Sequence, residues 1–130
     1  MKKIVIGFTL TVGLLACSGL QPVQNIPPRS LTLADGITMQ EAILRGGAKK
    51  GWAMYQKQDG LILGNLSVRG HEVNVQIPYT DNSYAISYDS SSNMLYQEKK
   101  SRIHRKYNQW VRNLDLEIRR AAAGTEAAAH

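Results

Sequence analysis

The chain has 130 residues, of which 16 are basic and 10 acidic, so its formal net charge is +6. This length allows one small domain and excludes two, and the single cysteine excludes a disulfide within the chain. The positive charge is compatible with anionic partners but carries no information about the fold.

The first predicted element is a cleaved signal segment over residues 1–16. Two lysines precede an apolar run of twelve residues, and small Ala16 follows it, as in a cleaved secretory signal. Residues 14–17, Leu-Leu-Ala-Cys, resemble the lipobox. The resemblance implies cleavage between Ala16 and Cys17 and attachment of lipid to the Cys17 thiol. The membrane is therefore the first predicted partner.

Two alternatives to this signal are a permanent membrane span and ordinary secretion. The apolar run is too short for a span, which needs about 20 residues. Secretion would leave Cys17 as an unpaired thiol in an oxidising compartment, whereas lipidation consumes it. In the enterobacterial sorting rule an Asp after the cysteine retains the protein at the inner membrane, and here that residue is Ser18. This implies an outer-membrane protein facing the periplasm, with the inner membrane less favoured.

Residues 17–36 are predicted to be the lipidated cysteine and a flexible tether. The stretch mixes Ser, Gly, Pro, Gln and Asn with a few aliphatic residues and shows no sustained period. A coil of about 20 residues spans on the order of 25 Å. Such a tether would hold the domain clear of the lipid headgroups.

A single domain is predicted over residues 37–123, beginning with a helix. Thr38 and Glu41 have the spacing of a capping box, and apolar residues then recur on one face at helical spacing. Gly46 and Gly47 weaken a helix. They therefore either allow another backbone to approach closely or end the helix.

Short strands with period-two alternation follow, over residues 52–57, 61–68, 73–79 and 84–88. The turns between them are short, and adjacent strands joined in this way are antiparallel neighbours. The pattern predicts a meander of three or four strands.

A long helix is predicted from near Lys99 to Ala123, and residues 124–130 are predicted to be a disordered tail. Both helices should cover the apolar face of the meander, which gives a two-layer α+β sandwich whose other face is open. The helix prediction depends on an apolar stripe at steps of three and four, formed by Ile103, Tyr107, Trp110, Val111, Leu114 and Ile118.

Positive charge is concentrated in this last helix, where residues 98–120 contain eight basic and three acidic side chains. Such a face is either simply solvated or a docking surface for an anionic envelope polymer, a lipid phosphate or another envelope protein. Nucleic acid is excluded because the signal sends the domain out of the cytoplasm. The candidate binding residues are Arg102, Arg105, Lys106 and Arg112.

The tyrosines suggest a second candidate surface, an aromatic rim formed by Tyr79, Tyr84 and Tyr88. Tyrosine has an apolar body and a polar tip, which suits a half-exposed interface. The alternative, which we favour, is a thin core whose aromatic tips reach the surface.

No catalytic or metal-binding set is assembled in the sequence. His71 and His104 lack the nearby ligands that a zinc site needs, and no nucleophile-elbow motif is present. We therefore expect no metal, no cofactor and no enzymatic activity. The rival hypothesis is a small-ligand binder or enzyme that uses His71, His104 and the tyrosines.

Three stretches of the chain, residues 64–80, 84–88 and 103–114, resemble a group of small uncharacterised proteobacterial lipoproteins. The resemblance covers most of the predicted domain and implies a membrane-anchored lipoprotein. It implies no catalytic or ligand residues. The expected function is a non-catalytic binding or scaffold domain in the envelope.

Overall fold

The computed structural model describes residues 19–125, so the predicted signal, Cys17 and residues 126–130 lie outside the described part of the chain. Neither helix within residues 19–125 is long and apolar enough to cross a membrane. In chain order the elements are β1 Leu20–Pro22, β2 Ile26–Ser30, α1 Met39–Lys49, β3 Ala53–Gln58, β4 Leu61–Val68, β5 His71–Pro78, β6 Ser83–Ser92, β7 Arg102–His104 and α2 Lys106–Ala122.

Helix α1 begins at the predicted capping box. The side-chain oxygen of Thr38 accepts the N–H of Glu41, and the Glu41 carboxylate accepts the N–H of Thr38, both at 3.1 Å. Two of the backbone donors that a helix start leaves without partners are thereby satisfied.

The fold is α+β, as predicted. Strands β3 to β6 form the expected antiparallel meander, and β2 adds a fifth strand, so that the order across the sheet is β2-β6-β5-β4-β3. Alternate residues of β4, β5 and β6 point to one face and are buried under both helices in a single core. This arrangement confirms the two-layer sandwich.

The opposite face of the sheet is open and polar. On it, Asn65 Nδ2 donates to Glu72 Oε2 at 2.8 Å and to Asn74 Oδ1 at 2.7 Å, and Asn74 Nδ2 donates to Ser90 Oγ at 3.1 Å. The two amide groups thus find carboxylate, amide and hydroxyl acceptors across three strands. The open face therefore needs no covering layer.

Residues 19–36 are not the flexible tether that their composition predicted. Strand β1 pairs antiparallel with β7, and β2 pairs with β6. Pro27 and Pro28 lie inside β2, at the edge of the sheet, where the register shifts between Ile26 and Arg29. Sheet edges and bulges tolerate proline because no ladder donor is required there. Composition cannot show such a strand, because the neighbouring β6 is what stabilises it.

The last helix is shorter than predicted. It begins at Lys106 instead of near Lys99, and the residues just before it form β7. Strand β7 pairs with β1 on one side, and on the other side Arg102 and Gln97 exchange backbone hydrogen bonds of 2.8 and 3.2 Å. Ile103 is fully buried, but from a strand. Tertiary pairing therefore overrides helical periodicity at the start of the stripe.

The two helices meet at a glycine. A Cβ atom on Gly46 would lie 2.7 Å from both the Cα and the N of Ile118 in α2, so the close backbone approach is the correct alternative for Gly46. A Cβ on Gly47 would instead come within 2.2 Å of the Met54 side chain. The added Cβ would therefore clash with backbone atoms at Gly46 but with a flexible side chain at Gly47.

Replacing Gly46 with Ala should lower the free energy of unfolding by about 1–3 kcal/mol, the usual cost of overpacking, although Ala favours a helix more than Gly does. Gly47→Ala should cost less, because the Met54 side chain can adapt. Chemical denaturation of both variants measures the difference. A Gly46→Ala variant as stable as the wild type would contradict the close helix contact.

Candidate functional site

One buried asparagine holds the beginning of the described chain against α2. Asn108 is 1% exposed, and its Nδ2 donates to Gln21 Oε1 at 3.1 Å and to the Pro22 carbonyl oxygen at 2.9 Å. Its Oδ1 accepts the N–H of Gln24 at 2.9 Å. We call residues 19–24 the N-terminal segment, and Asn108 fixes its path.

Two of the four basic residues predicted to bind an anionic partner contact this segment. Arg102 Nη2 donates to the Leu20 carbonyl oxygen at 2.8 Å, and Arg112 Nη1 lies 3.5 Å from Gln24 Oε1. The predicted basic face is therefore partly covered by the N-terminal segment. The sequence analysis placed this segment in a flexible tether, so it could not predict these contacts.

At the end of α2 the positive charge is matched by carboxylates. Arg119 Nε lies 3.3 Å from Asp115 Oδ2, and Arg120 Nη1 lies 3.0 Å from Glu117 Oε2. Asp115 and Glu117 are both buried. Positive charge that no carboxylate matches therefore lies in the first half of the helix, where Arg105 is the N-cap, Lys106 is the first residue and the first turn contains no acidic residue, and where Arg112 contacts a neutral amide.

A cavity of about 370 Å³ opens where the β4–β5 turn meets the start of α2. Four of its six lining residues carry or can carry positive charge, and none of the six, all within the described part of the chain, is acidic. We call this cavity the cationic pocket. It is lined by Val68, Arg69, His71, His104, Lys106 and Trp110.

The pocket brings together two histidines that are far apart in the sequence. The ring centroids of His71 and His104 are 5.8 Å apart, and the ring of Trp110 is 6.4 Å from that of His71. The β4–β5 turn supplies Arg69, whose φ of 52° precedes a glycine at 84°. Two successive positive φ angles are typical of a type I′ hairpin turn, which directs this arginine to the end of the sheet.

Hydrogen bonds to the backbone fix a different tautomer in each histidine. His71 Nδ1 lies 2.7 Å from the Asn93 carbonyl oxygen, which can only accept, so Nδ1 carries the proton and Nε2 can accept. His104 Nδ1 lies 3.1 Å from the backbone N of Lys106, which donates, so neutral His104 carries its proton on Nε2. The pocket thus contains one imidazole acceptor and one imidazole donor.

Burial lowers the pKa of His104, and electrostatic interactions with His71, Arg105 and Lys106 lower it further. His104 is therefore neutral at pH 7 and becomes cationic only below the ordinary histidine pKa of about 6.5. Protonation on Nδ1 would also remove the acceptor that serves the Lys106 N–H.

The three tyrosines of the predicted aromatic rim do not form one. Tyr84 is 1% exposed and donates a hydrogen bond to the Asp115 carboxylate, and burial raises its pKa strongly. Tyr79 donates to Gln56 Oε1 at 3.0 Å, and Tyr88 stacks on Tyr96 elsewhere. The favoured alternative, a core whose aromatic tips reach the surface, does not describe Tyr84 either, because its hydroxyl is buried against Asp115. None of the three tyrosines lines the cationic pocket.

A larger hollow, of about 650 Å³, lies beside the start of α1. Its charged lining residues are Asp59 and Asp81. A second hollow of about 240 Å³ lies on the open sheet face beside Tyr55 and Leu63. Neither of these two hollows is lined by a basic residue or a histidine, so volume does not identify the candidate site. Charge and side-chain convergence do.

Within residues 19–125 no three His, Cys, Asp or Glu side chains are close enough together to hold a metal ion. Because neutral His104 keeps a proton on Nε2, that nitrogen cannot act as a ligand in this geometry.

No family model, curated protein or solved structure matches the chain. The resemblance to small lipoproteins stays a prediction, and the function is inferred from side-chain geometry and charge.

Neither Arg69 nor Asn108 is among the candidate functional residues predicted from the sequence. A signal for Asn108 was present, since it falls between Tyr107 and Val111 on the apolar stripe, where a polar residue needs partners. Arg69 carried no comparable signal. Its role depends on which element lies beside the β4–β5 turn.

The stability of the wild type should fall relative to that of His104→Asn as the pH is lowered from about 7.5 to about 5. The pKa of His104 is lower in the folded state, so the unfolded chain binds this proton first and acid favours unfolding. Asn keeps an acceptor for the Lys106 N–H but does not titrate. Chemical denaturation at several pH values measures the difference, and a constant difference would contradict the assignment.

Proposed function

We propose that the protein is a lipid-anchored lipoprotein of the bacterial outer membrane that faces the periplasm, and that its domain is a non-catalytic binding module for an anionic group. The anchor would be Cys17, by the lipobox argument. The observation that supports the binding role is the convergence of Arg69, His71, His104 and Lys106 in one cavity without an acidic lining residue.

The electrostatics of α2 support an anionic ligand. The N-terminal end of a helix carries partial positive charge, and cations placed there are unfavourable. Arg105 and Lys106 nevertheless occupy the start of α2. A bound anion would relieve this repulsion, and helix starts are common anion sites. The pocket then combines the helix dipole with the side-chain charges of Arg69 and Lys106.

The chemistry of the pocket suits an oxyanion in particular. Arg69 and Lys106 supply charged donors, and His104 supplies a neutral donor at Nε2. Trp110 gives an apolar wall that lowers the local dielectric constant and strengthens these interactions. A phosphate, sulfate or carboxylate group would accept from all of these donors.

An acid–base enzyme at the same pocket is a second candidate, because the two histidines present an acceptor and a donor. The described lining residues include no serine, cysteine or carboxylate that could act as a nucleophile, so binding is favoured. Turnover of para-nitrophenyl phosphate that is lost in His71→Asn would favour the enzyme.

Cys17→Ala should abolish incorporation of radiolabelled palmitate and release the protein from the membrane fraction. The reason is that the thiol is the proposed lipid attachment point. Metabolic labelling followed by immunoprecipitation measures incorporation, and Ser18→Ala is the matched control that should label normally. Continued labelling of Cys17→Ala would overturn the anchor.

The mature protein in a neutral, phospholipid-free detergent should bind sulfate at low ionic strength. Arg69→Gln and Lys106→Gln should each weaken binding about tenfold, because a hydrogen bond to a charged group contributes about 1.5–3 kcal/mol. Binding should strengthen as the pH falls and His104 becomes cationic, whereas sulfate keeps its charge.

Calorimetric titration measures the sulfate affinity. Lys49→Gln, which removes an exposed lysine at the far end of α1, is the control and should bind like the wild type. An affinity that is equal in all four proteins, or absent in the wild type, would overturn the anion pocket.

A further inference from the structure

The N-terminal segment begins at the edge of the cationic pocket. The Gly19 carbonyl oxygen accepts a hydrogen bond of 2.9 Å from the N–H of Arg105, and Arg105 lies between the pocket residues His104 and Lys106. The next residue, Leu20, is directly opposite His104 in the β1–β7 pair. Any group attached just ahead of Gly19 is therefore close to the pocket.

Covalent geometry limits how far the proposed anchor can be from this point. Consecutive Cα atoms are about 3.8 Å apart, so the Cα of Cys17 lies within about 7.6 Å of the Cα of Gly19. A flexible tether would have allowed a separation on the order of 25 Å. Because the N-terminal segment is packed against α2, acyl chains on Cys17 would enter the bilayer beside the pocket.

An exposed leucine borders the same end of the molecule. Leu95 is 62% exposed and has a φ of 56°, a backbone conformation that is uncommon for a bulky residue. The two residues before it contact the pocket histidines: the Asn93 carbonyl oxygen accepts from the His71 ring, and the Met94 carbonyl oxygen accepts the N–H of His104 at 2.9 Å. An exposed apolar residue thus follows directly the two residues whose carbonyl groups bond to the pocket histidines.

Apolar and basic groups on one surface are the combination that binds to an anionic lipid interface. Apolar side chains enter the boundary between headgroups and acyl chains, while basic side chains attract the phosphates. Leu95 supplies the apolar group, and Arg69, Arg105 and Lys106 supply the charge. Leu95, the pocket and the first described residue, Gly19, to which the proposed anchor segment is joined, lie at the same end of the domain.

We infer that the anion bound by the cationic pocket is the phosphate of a phospholipid headgroup in the bilayer that holds the Cys17 anchor. The domain then lies on the membrane surface with the pocket towards the headgroups and Leu95 in the interface. This inference rests on the proposed anchor and on the proposed anion pocket. It names the partner of that pocket.

The test uses the lipidated mature protein in vesicles and the fluorescence of Trp110, which lines the pocket. The vesicles contain phosphatidylcholine and phosphatidylglycerol with a trace of a phospholipid that carries a nitroxide on its headgroup. We expect the nitroxide to quench Trp110, more strongly with phosphatidylglycerol than in phosphatidylcholine alone, and we expect added sulfate to reduce the quenching. Trp110→Phe identifies the contribution of the other tryptophan, Trp52, which is buried in the core.

The double pocket variant and its control separate pocket binding from mere proximity to the membrane. The double variant Arg69→Gln, Lys106→Gln should lose most of the phosphatidylglycerol-dependent quenching, while Lys49→Gln should keep it. Leu95→Asn should reduce the quenching without loss of stability, because Asn tolerates positive φ better than Leu. Unchanged quenching in the double variant would overturn headgroup binding by the pocket.

The sulfate titration in phospholipid-free detergent distinguishes this inference from the proposed function. Sulfate binding without quenching in vesicles would overturn the headgroup assignment and leave a pocket for a free anion. Loss of both signals would overturn the anion pocket itself. Failure of palmitate incorporation in the wild type would remove the anchor on which the orientation depends.

Discussion

The hydrogen bonds between Asn108 and the N-terminal segment determine the arrangement of the pocket end of this protein. A buried amide that loses its partners costs about 1–3 kcal/mol for each group, so Asn108 strongly favours the observed path of Gln21 to Gln24. That path places β1 beside β7, and the pairing of β7 delays the start of α2 until Lys106. The position of His104 at the pocket follows from this.

The same constraint organises the charge of α2. Arg102 and Arg112 contact the N-terminal segment, and Arg119 and Arg120 pair with buried carboxylates of their own helix. In the sequence this face looks uniformly basic. In the structure some of its arginines bond to the N-terminal segment and others pair with carboxylates. Positive charge without a carboxylate partner therefore lies in the first half of the helix, at Arg105, Lys106 and Arg112. In the proposed function, the charge at the helix start is the part that binds an anion.

Much of the domain could be predicted because its signals are local. The Thr38 capping box, the alternation of β4 to β6 and the short turns between the strands each depend on neighbours in sequence, and the structure contains them all. Tyr84 and Ile86 are two residues apart in a strand, so both lie on its apolar face. The burial of Tyr84 could therefore be predicted, and its assignment to an exposed rim was inconsistent with the pattern. The strand β7, which sets the start of α2, and the strand β2 could not be predicted in this way. Each forms only because it pairs with a strand that is distant in the chain.

By itself, the sequence determined the α+β class, the first helix, the meander and the concentration of positive charge near the C-terminus, because periodicity and capping act over a few residues. Only the tertiary structure decided that the first described residues belong to the domain and that His71, His104 and Arg69 share one cavity. The reason is that a turn, a short strand and a helix start meet there from separate parts of the chain. Long-range hydrogen bonds hold them together, and no local pattern records such contacts.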